Sequence, residues 1–397
     1  MANALIDVAS HALLRQNCLP MNVAPLVEKG TSLSEAELRR YSRQIVIPQL
    51  SLQGQERLKN ARVLCVGAGG LGSPALMYLA AAGIGTLGIV DFDVVDGTNL
   101  HRQILFGQTD VGKKKADVAR EKIQSANPFI EVISIPLRID KSNALEIFAD
   151  YDVIIDATDN FATRYLINDA AVLLNKPYAW GSVNRFDGQA AFFWSLHGPC
   201  YRCLHPTPPA PGSVQNCAEA GILGVTCASI ASMQVNEVIK AITGIGDLQI
   251  GKLLIFDALA SEFTKIDFQK DPNCAMCGVD ASQKSLLNDY DAFCGVQTSL
   301  EVSAHELKQK FDSGDDFLLI DVREPEEFAQ SRIAEAVLIP KSHFEDSSVF
   351  TQLPKDKEII LHCRSGVRSL RCLEIIQAAG FTNSRHLSGG ILAWEKL

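Results

Sequence analysis

The run from Val63 to Val90 contains no charged residue and is long enough in principle to span a bilayer. Seven glycines and Pro74 interrupt it. These interruptions favour a strand at about 63–66, a turn, a helix at about 73–82 and a second strand at about 86–90. Strands that are apolar along their whole length are typical of parallel sheets covered by helices on both faces. The pattern therefore predicts a buried α/β core and argues against a membrane protein.

A second α/β pattern follows near the C-terminus, with a helix at 303–311, strands at 317–321 and 358–362, and a helix that ends at Gly380. A polar stretch with few motifs separates the two patterns. The chain of 397 residues also exceeds the size at which a single core stops growing. We therefore predict an N-terminal tail over residues 1–32, a first domain over 33–278, a linker over 279–297 and a second domain over 298–397.

The composition is that of a soluble globular protein. Asp and Glu (46) outnumber Lys and Arg (37), and the net charge of −9 argues against nonspecific nucleic-acid binding. Eleven cysteines in a chain of this length fit a reducing compartment better than a secreted disulfide scaffold. The first 30 residues lack the sustained apolar core of a signal peptide. We expect a cytoplasmic protein that binds neither nucleic acid nor membrane.

Two Cys-x-x-Cys pairs, Cys200/Cys203 and Cys274/Cys277, have the spacing of metal ligands. Each pair can present both sulfurs to one ion from a tight turn, and two pairs complete the tetrahedron that Zn²⁺ prefers. The alternative is four unrelated cysteines or two short disulfides. A four-thiolate site leaves no open position for water or substrate, so we assign a zinc ion here to stability.

A glycine-rich turn, Gly67-Ala-Gly69-Gly70-Leu-Gly72, lies between a predicted strand and a predicted helix, and Asp91 follows at the end of the next strand. This is the fingerprint of a dinucleotide-binding fold, in which the glycines admit a phosphate to the helix N-terminus and the acid binds ribose hydroxyls. A purely structural turn is the alternative. The fingerprint alone does not separate NAD from ATP.

Cations and amides follow the second strand, at Asn99, Arg102, Gln103 and Lys115. A triphosphate carries more negative charge than the pyrophosphate bridge of NAD, and Arg and Lys can neutralise a departing pyrophosphate. These residues therefore favour ATP.

A buried strand that begins at Tyr151 ends in Asp156-Ala-Thr-Asp159-Asn160. Carboxylates at the carboxyl end of a parallel strand lie in the ligand crevice of this fold. Asp159 is therefore a candidate Mg²⁺ ligand. Asp156 is assigned a structural role, either as a helix N-cap or as the acid of a turn.

Together these motifs resemble the MoeB/ThiF adenylyltransferases, relatives of the ubiquitin-activating enzymes, over residues 33–278. The resemblance implies a mainly parallel sheet, a homodimer, and ATP-driven adenylation of the C-terminal glycine of a small ubiquitin-like sulfur carrier. It assigns Asp91 to ribose and Arg43 to the phosphates of the partner subunit's ATP, and a capping box at Ser34 and Glu37 independently predicts the start of the helix that bears Arg43. The nucleotide site implied in this way comprises Arg43, Gly69, Gly70, Gly72, Asp91, Asn99, Arg102, Gln103, Lys115, Asp159 and Asn160, with Arg102 and Asp159 acting in the reaction.

Cys217 follows a proline-rich segment, His205 to Ser213, that reads as an exposed crossover loop. In the relatives a cysteine here can take the acyl group as a thioester, and the end of a mobile loop suits such a nucleophile. An incidental loop cysteine is the alternative, since reactivity depends on environment.

In the second domain, Cys363-Arg364-Ser365-Gly366-Val367-Arg368 joins a strand to a helix. Converging backbone N–H groups in such a loop stabilise a thiolate or a persulfide. Cysteine phosphatases place Arg six positions after the cysteine, where this chain has Ser369, so the shorter loop favours sulfane sulfur. The domain resembles a rhodanese, although a usual glycine is replaced by Glu335 in an outer turn, which puts that turn in doubt. An inactive interaction module is the alternative.

The sequence thus predicts a Rossmann-like ATP-binding adenylyltransferase domain with a structural zinc, followed by a rhodanese α/β domain. The predicted activity is conversion of a Gly-Gly-ended carrier to a thiocarboxylate, for molybdopterin, thiamin or a related sulfur-containing cofactor. The expected ligands are ATP, Mg²⁺ and Zn²⁺, and the expected sulfur donor is a cysteine desulfurase or thiosulfate. An NAD-dependent oxidoreductase with an accessory rhodanese and a non-enzymatic scaffold for a ubiquitin-like protein remain as alternatives.

Overall fold

A computed structural model of the chain describes residues 23–209, 221–294, 300–346, 348–351, 353–354 and 357–397. The chain divides into two compact units between Tyr290 and Asp291. Among the helices in these ranges, none combines the length and apolar character that a membrane crossing requires.

One mixed sheet forms the centre of the first unit, and its strands run in the order β3-β2-β1-β4-β5-β6-β7-β8. The five strands from β3 to β5 in this order pair in parallel, and β6, β7 and β8 extend the sheet with antiparallel pairs. The strands are β1 (Arg62–Val66), β2 (Thr86–Val90), β3 (Glu131–Ile135), β4 (Val153–Asp156), β5 (Tyr178–Asn184), β6 (Asp187–Phe193), β7 (Lys252–Asp257) and β8 (Glu262–Asp267).

Helices accompany the parallel strands in the described part of the first unit. They are α1 (Glu35–Arg40), α2 (Ser42–Ile45), α3 (Ser51–Asn60), α4 (Gly72–Ala82), α5 (Lys115–Ala126), α6 (Ala144–Ala149), α7 (Phe161–Leu173), α8 (Tyr201–Leu204) and α9 (Gly224–Thr243). The apolar run supplies β1, α4 and β2, as the sequence predicts. Its strand β2 is buried throughout, and a side chain at Gly88 would lie 2.2 Å from the Tyr151 hydroxyl oxygen.

The predicted capping box at the start of α1 is confirmed. The backbone N–H of Glu37 donates to the Ser34 hydroxyl at 3.3 Å, and the backbone N–H of Ser34 donates to the Glu37 carboxylate at 2.8 Å. Lys59 pairs with the same carboxylate at 2.9 Å. These contacts fix the segment that leads into α2, where Arg43 lies on an exposed surface.

The second unit is built on a parallel sheet in the order β11-β10-β12-β13-β9. Its strands are β9 (Glu301–Val302), β10 (Phe317–Asp321), β11 (Val337–Leu338), β12 (Glu358–His362) and β13 (Ser384–Leu387). Its described helices are α10 (Tyr290–Phe293, which begins on the last residue of the first unit), α11 (Ala304–Ser313), α12 (Pro325–Gln330), α13 (Ser342–Glu345), α14 (Val367–Ala378) and α15 (Gly390–Trp394). The predicted strands at 317–321 and 358–362 are confirmed.

The outer turn in which Glu335 replaces the usual glycine of the rhodanese pattern still forms a tight turn. Glu335 adopts a left-handed backbone conformation with φ +64°, and the backbone N–H of Ala336 closes the turn on the Ile333 carbonyl at 3.3 Å. A side chain in this region costs about 1–2 kcal/mol relative to ordinary backbone. The turn therefore keeps a glycine-like conformation without a glycine.

Part of the span predicted as linker packs on the first unit. Gln283 Nε2 and the Tyr290 hydroxyl both donate to the Asp169 carboxylate, at 2.7 and 2.8 Å. Asp169 lies on α7 and is fully buried. Residues 283–290 of the predicted linker therefore belong to the first compact unit.

Candidate functional site

The principal cleft of the first unit lies at the carboxyl ends of β1 and β4. The sheet order reverses between these strands, and the crevice at such a switch point binds ligands in open α/β sheets. The cleft encloses about 890 Å³ of empty space, including solvent at its mouth. Of the predicted site residues, those that line it are Gly69, Gly70, Asp91, Arg102, Gln103, Lys115, Asp159 and Asn160.

Two glycines shape the loop between β1 and α4. Gly67 has φ +95°, in the left-handed region that favours glycine. A Cβ on Gly72 would lie 2.0 Å from the Gly67 carbonyl oxygen. Gly72 does not line the cleft within the described structure, so its contribution is the close turn that lets α4 begin there.

Asp91 holds this loop in place. Its carboxylate accepts the backbone N–H of Ala68 at 2.8 Å and that of Asp93 at 2.9 Å. Burial raises the pKa of Asp91, and these hydrogen bonds together with the nearby Lys115 charge oppose the increase. The predicted ribose ligand therefore also has a structural task.

The predicted cations are held by neighbouring side chains. Lys115 is nearly buried at the start of α5, and its Nζ lies 2.9 Å from Asp93 Oδ2. Arg102 Nη2 donates to Asn99 Oδ1 at 2.8 Å, so Asn99 positions the guanidinium although it does not itself line the described cleft. Gln103 is buried, and its Oε1 has no hydrogen-bond partner among the described residues. A buried acceptor that lacks a partner at the cleft wall fits a ligand that carries a hydrogen-bond donor.

The polar residues at the end of β4 differ in role: Asp156 and Asn160 hold backbone groups, and Asp159 is exposed in the cleft. Asp156 is fully buried, and its Oδ1 accepts the backbone N–H and the hydroxyl of Thr158 at 3.0 and 2.7 Å. This confirms Asp156 as a turn acid. Asn160 caps α7 by accepting the backbone N–H of Thr163 at 2.9 Å. Asp159 is exposed on the cleft wall, where a carboxylate is available to a hydrated Mg²⁺.

Two arginines in the cleft are absent from the sequence-based prediction. Arg164 is nearly buried, donates to the Thr158 carbonyl at 3.1 Å, and stacks over the Trp180 ring at 5.7 Å. Arg138 follows β3 and also lines the cleft. The position of Arg164 on the first turns of α7, directly after the Asp159-Asn160 motif, is a signal that could have identified it.

Two predicted residues lie elsewhere. Arg43 is exposed on α2 and does not line the described part of this cleft. Its implied role therefore requires a second copy of the chain. Cys217 lies outside the described residues.

The four paired cysteines come together near the end of α7, where Val172 and Leu173 pack against them. Their sulfur atoms all lie within 4.8 Å of one another, with separations of 4.0 Å for Cys200/Cys203, 3.7 Å for Cys200/Cys274 and 3.4 Å for Cys203/Cys277. A Zn²⁺ ion with four sulfurs at its usual bond length would have sulfur–sulfur edges of about 3.8 Å. The donor set and its geometry fit tetrahedral zinc.

Cys363 lies in a cradle of donors between β12 and α14. Its Sγ accepts the backbone N–H groups of Gly366 and Ser369 at 3.2 and 3.4 Å, and the Ser369 hydroxyl lies 3.5 Å away. Burial opposes ionisation, but the Ser369 hydroxyl and the amides of the loop outweigh it and lower the pKa of Cys363. The loop therefore favours an anionic sulfur, and Ser369, outside the predicted loop, is one of its donors.

The two arginines of the Cys363 loop, Arg364 and Arg368, differ in exposure and in ion pairing. Arg368 binds Glu327 on α12 with a bidentate pair at 2.6 and 2.7 Å. This ion pair lowers the pKa of Glu327 to about 2, although some burial opposes it. Arg364 and Ser365 are exposed, and Gly366 begins the helix with φ +97°. Arg368 thus anchors the loop to a neighbouring helix.

Comparison with known proteins gives the same two modules. Residues 41–276 match the ThiF family, and residues 303–397 match the rhodanese-like domain. The chain is 49% identical to "Probable adenylyltransferase/sulfurtransferase MoeZ" of Mycobacterium tuberculosis, over 94% of this chain and 97% of that protein. It is 50% identical to the "Sulfur carrier protein adenylyltransferase" of Thermus thermophilus, over 66% of this chain and 99% of that protein.

Further relatives extend the match across kingdoms and to solved structures. "Adenylyltransferase and sulfurtransferase MOCS3" of Drosophila ananassae is 40% identical over 92% of this chain and 84% of that protein. A crystal structure of E. coli MccB with ATP has a TM-score of 0.54 and 25% identity, covering 60% of this chain and 74% of that chain. The chain therefore belongs to the ThiF family, and a rhodanese-like domain follows its ThiF module.

Proposed function

We propose that this chain adenylates the C-terminal glycine of a small ubiquitin-like sulfur carrier with ATP and then supplies sulfur from a persulfide on Cys363. The product is a carrier that ends in a thiocarboxylate. The observation that carries the proposal is the presence, in one chain, of a ThiF-type cleft lined by cations and a cysteine in a cradle of N–H donors. The relatives that span most of this chain bear the names of both activities.

Adenylation activates a carboxylate that is otherwise a poor acyl donor. The carrier carboxylate attacks the α-phosphorus of ATP, and pyrophosphate departs with the electrons of the broken P–O bond. Arg102, Lys115 and Arg164 place positive charge beside that departing group. Asp159 and the turn that follows β4 would hold Mg²⁺, which supplies additional charge neutralisation when bound.

A homodimer completes the proposed nucleotide site. Arg43 lies on an exposed helix outside the cleft of its own chain, and we assign it to the triphosphate in the partner's cleft. The test is subunit mixing. Arg43→Ala and Asp159→Ala should each be inactive alone, and mixed dimers should recover part of the activity because one of their two clefts is intact.

Sulfur transfer follows on the second unit. A Cys363 thiolate attacks the outer sulfur of a persulfide donor, such as one on a cysteine desulfurase, and the donor thiolate leaves; thiosulfate would serve in the same way with sulfite leaving. The terminal sulfur of the Cys363 persulfide then attacks the acyl carbon of the adenylate, and AMP leaves with the electrons of the broken C–O bond. The resulting acyl disulfide is opened by a thiol, which releases the thiocarboxylate.

Cys217 offers a second route to the same product. If its thiol first displaces AMP, the carrier becomes a thioester, and the persulfide attacks that thioester instead of the adenylate. We favour the thioester route, since a cysteine after a proline-rich loop has the reach that it needs. Cys217→Ala should then accumulate carrier adenylate and form little thiocarboxylate. A normal yield of thiocarboxylate would contradict this route.

Exchange of labelled pyrophosphate into ATP tests the adenylation step. Exchange should depend on a Gly-Gly-ended carrier, and a panel of carriers of molybdopterin and thiamin type identifies the partner. Asp159→Ala should lose exchange, whereas Asp247→Ala, which removes an exposed acid away from the cleft, should retain it. Absence of exchange with every carrier, or full exchange in Asp159→Ala, would overturn the assignment.

A further inference from the structure

A buried histidine lies beside the Cys363 loop and has no assigned task. His386 is 2% exposed on β13, next to the strand that leads into Cys363. Its Nδ1 lies 3.4 Å from the Ser369 hydroxyl oxygen, which in turn lies 3.5 Å from Cys363 Sγ. The Ser369 hydroxyl therefore lies between the Cys363 sulfur and the His386 imidazole, within about hydrogen-bonding distance of both.

The far side of the imidazole faces a carboxylate. His386 Nε2 has no hydrogen-bond partner among the described residues and lies 3.7 Å from Glu301 Oε1 on β9. Burial lowers the pKa of His386, and the Glu301 charge only partly opposes this. In its neutral form, with the proton on Nε2 towards Glu301, the ring can accept a proton at Nδ1. A nearby carboxylate stabilises the imidazolium that would form.

The backbone amides around Cys363 do not account for how its thiol loses a proton. Backbone N–H groups stabilise a thiolate, but they cannot remove the thiol proton. Cys363 is only 1% exposed, so a side chain beside it is better placed than bulk water to take that proton. The other titratable groups that act on it are Arg368, which is always charged, and Cys372, a buried thiol whose pKa burial raises to about 12. Neither accepts a proton at neutral pH.

The Ser369 hydroxyl can relay a proton between Cys363 and His386. Its single proton has three acceptors within reach: the Gly366 carbonyl at 3.0 Å, His386 Nδ1 at 3.4 Å and Cys363 Sγ at 3.5 Å. Rotation about one bond switches the hydroxyl among them. Catalytic hydrogen bonds of this length are common before a substrate binds.

We propose that His386 is the base that receives the Cys363 thiol proton, through the Ser369 hydroxyl, when the cysteine is loaded with sulfur. The S–H bond of Cys363 breaks and its proton passes to Ser369 Oγ, while the Ser369 proton passes to His386 Nδ1. The electron pair left on Cys363 Sγ forms the new S–S bond. This inference rests on the proposed sulfur transfer and adds a proton acceptor to it.

Alkylation of Cys363 by iodoacetamide, measured in the intact chain by mass spectrometry of its peptide, tests the proposal without a carrier or sulfur donor. Rates are compared between about pH 6 and about pH 10. His386→Gln should slow alkylation at least about tenfold near neutral pH, and the loss should vanish at high pH, where hydroxide forms the thiolate. Ser369→Ala should also slow it, but that variant loses a hydrogen bond that stabilises the thiolate as well as the relay, so the test rests on His386→Gln. His305→Gln, at an exposed position on α11 of the same unit, is the matched control and should follow wild type.

A purely structural role predicts a different profile. A role of His386 confined to packing would slow alkylation by the same factor at every pH, and that outcome in His386→Gln, or an unchanged rate in that variant, would overturn the proposal. Glu301→Gln provides a variant outside the core, since the Glu301 side chain is 57% exposed. It should lower the neutral-pH rate less than His386→Gln does, and Ser369→Thr should restore the rate lost in Ser369→Ala. If the wild-type chain transfers no sulfur but His386→Gln still slows alkylation at neutral pH, the proposed function fails and this inference stands.

Discussion

Replacing Asp169 by Asn should destabilise the first unit more than any change at its surface. Asp169 is fully buried, and Arg202, which lies between the zinc cysteines Cys200 and Cys203, binds it through two hydrogen bonds of 2.7 Å each. Gln283 donates to the same carboxylate. The substitution keeps the shape of the side chain and removes its charge.

The expected cost follows from the burial of both partners. Side-chain exposure is 0% for Asp169 and 5% for Arg202, so the substitution breaks an ion pair that is buried on both sides. Breaking such a pair costs about 3–5 kcal/mol. One amide hydrogen of the new asparagine would also face donors on Arg202. Since domain stabilities are about 5–15 kcal/mol, the first unit would lose a large fraction of its stability.

Urea unfolding followed by tryptophan fluorescence measures this cost. Trp180 and Trp194 report on the first unit, and a Trp394→Phe background removes the signal of the second. Asp280→Asn makes the same chemical change at an exposed position and is the control. A loss below about 1 kcal/mol, equal to that of the control, would refute the reasoning, because exposed charges contribute no more than that. Amide exchange should also accelerate across residues 283–290 in the Asn variant.

Three further outcomes are expected. Cys277→Ser should lose zinc by elemental analysis and soluble protein together, because structural metal binding contributes to folding free energy; zinc-free protein of full stability would contradict this. Glu327 has a pKa lowered from 4.5 to about 2, so its pair with Arg368 stabilises the second unit above about pH 4.5 and is lost as pH falls through 2; the melting-temperature difference from Glu327→Gln should shrink over that range. Glu335→Gly should stabilise the second unit by about 0.5 kcal/mol in urea unfolding, as relief of the left-handed backbone slightly exceeds the added freedom of the unfolded glycine.

Local patterns predict much of the fold because their causes are local. The apolar run, its glycines and the turn acid Asp156 act within a few residues, and β1, α4 and β2 form where the pattern indicates. The capping box at Ser34 is likewise a contact across three residues. The zinc site can be predicted because it needs only one contact between distant segments, since each Cys-x-x-Cys pair already supplies two ligands.

Contacts between distant residues of ordinary type leave no such pattern. Tyr290 and Asp169 are 121 positions apart, and neither belongs to a motif. Ser369 and His386 are 17 positions apart and meet only because parallel strands bring β13 beside β12. Arg138 reaches the cleft through the return of the chain after β3. Each of these contacts depends on how segments that are distant along the chain pack together, which no local pattern specifies.

The most direct test of the account is intact-mass spectrometry of a Gly-Gly-ended carrier after one turnover with ATP, Mg²⁺ and persulfide-loaded protein. The wild-type chain should replace one carboxyl oxygen of the carrier by sulfur. Cys363→Ala should activate the carrier, as the adenylate or as a thioester on Cys217, without forming thiocarboxylate, since activation and sulfur transfer use separate units of the chain. A carrier that stays unchanged in the presence of ATP, or thiocarboxylate formed by Cys363→Ala, would contradict the central claim.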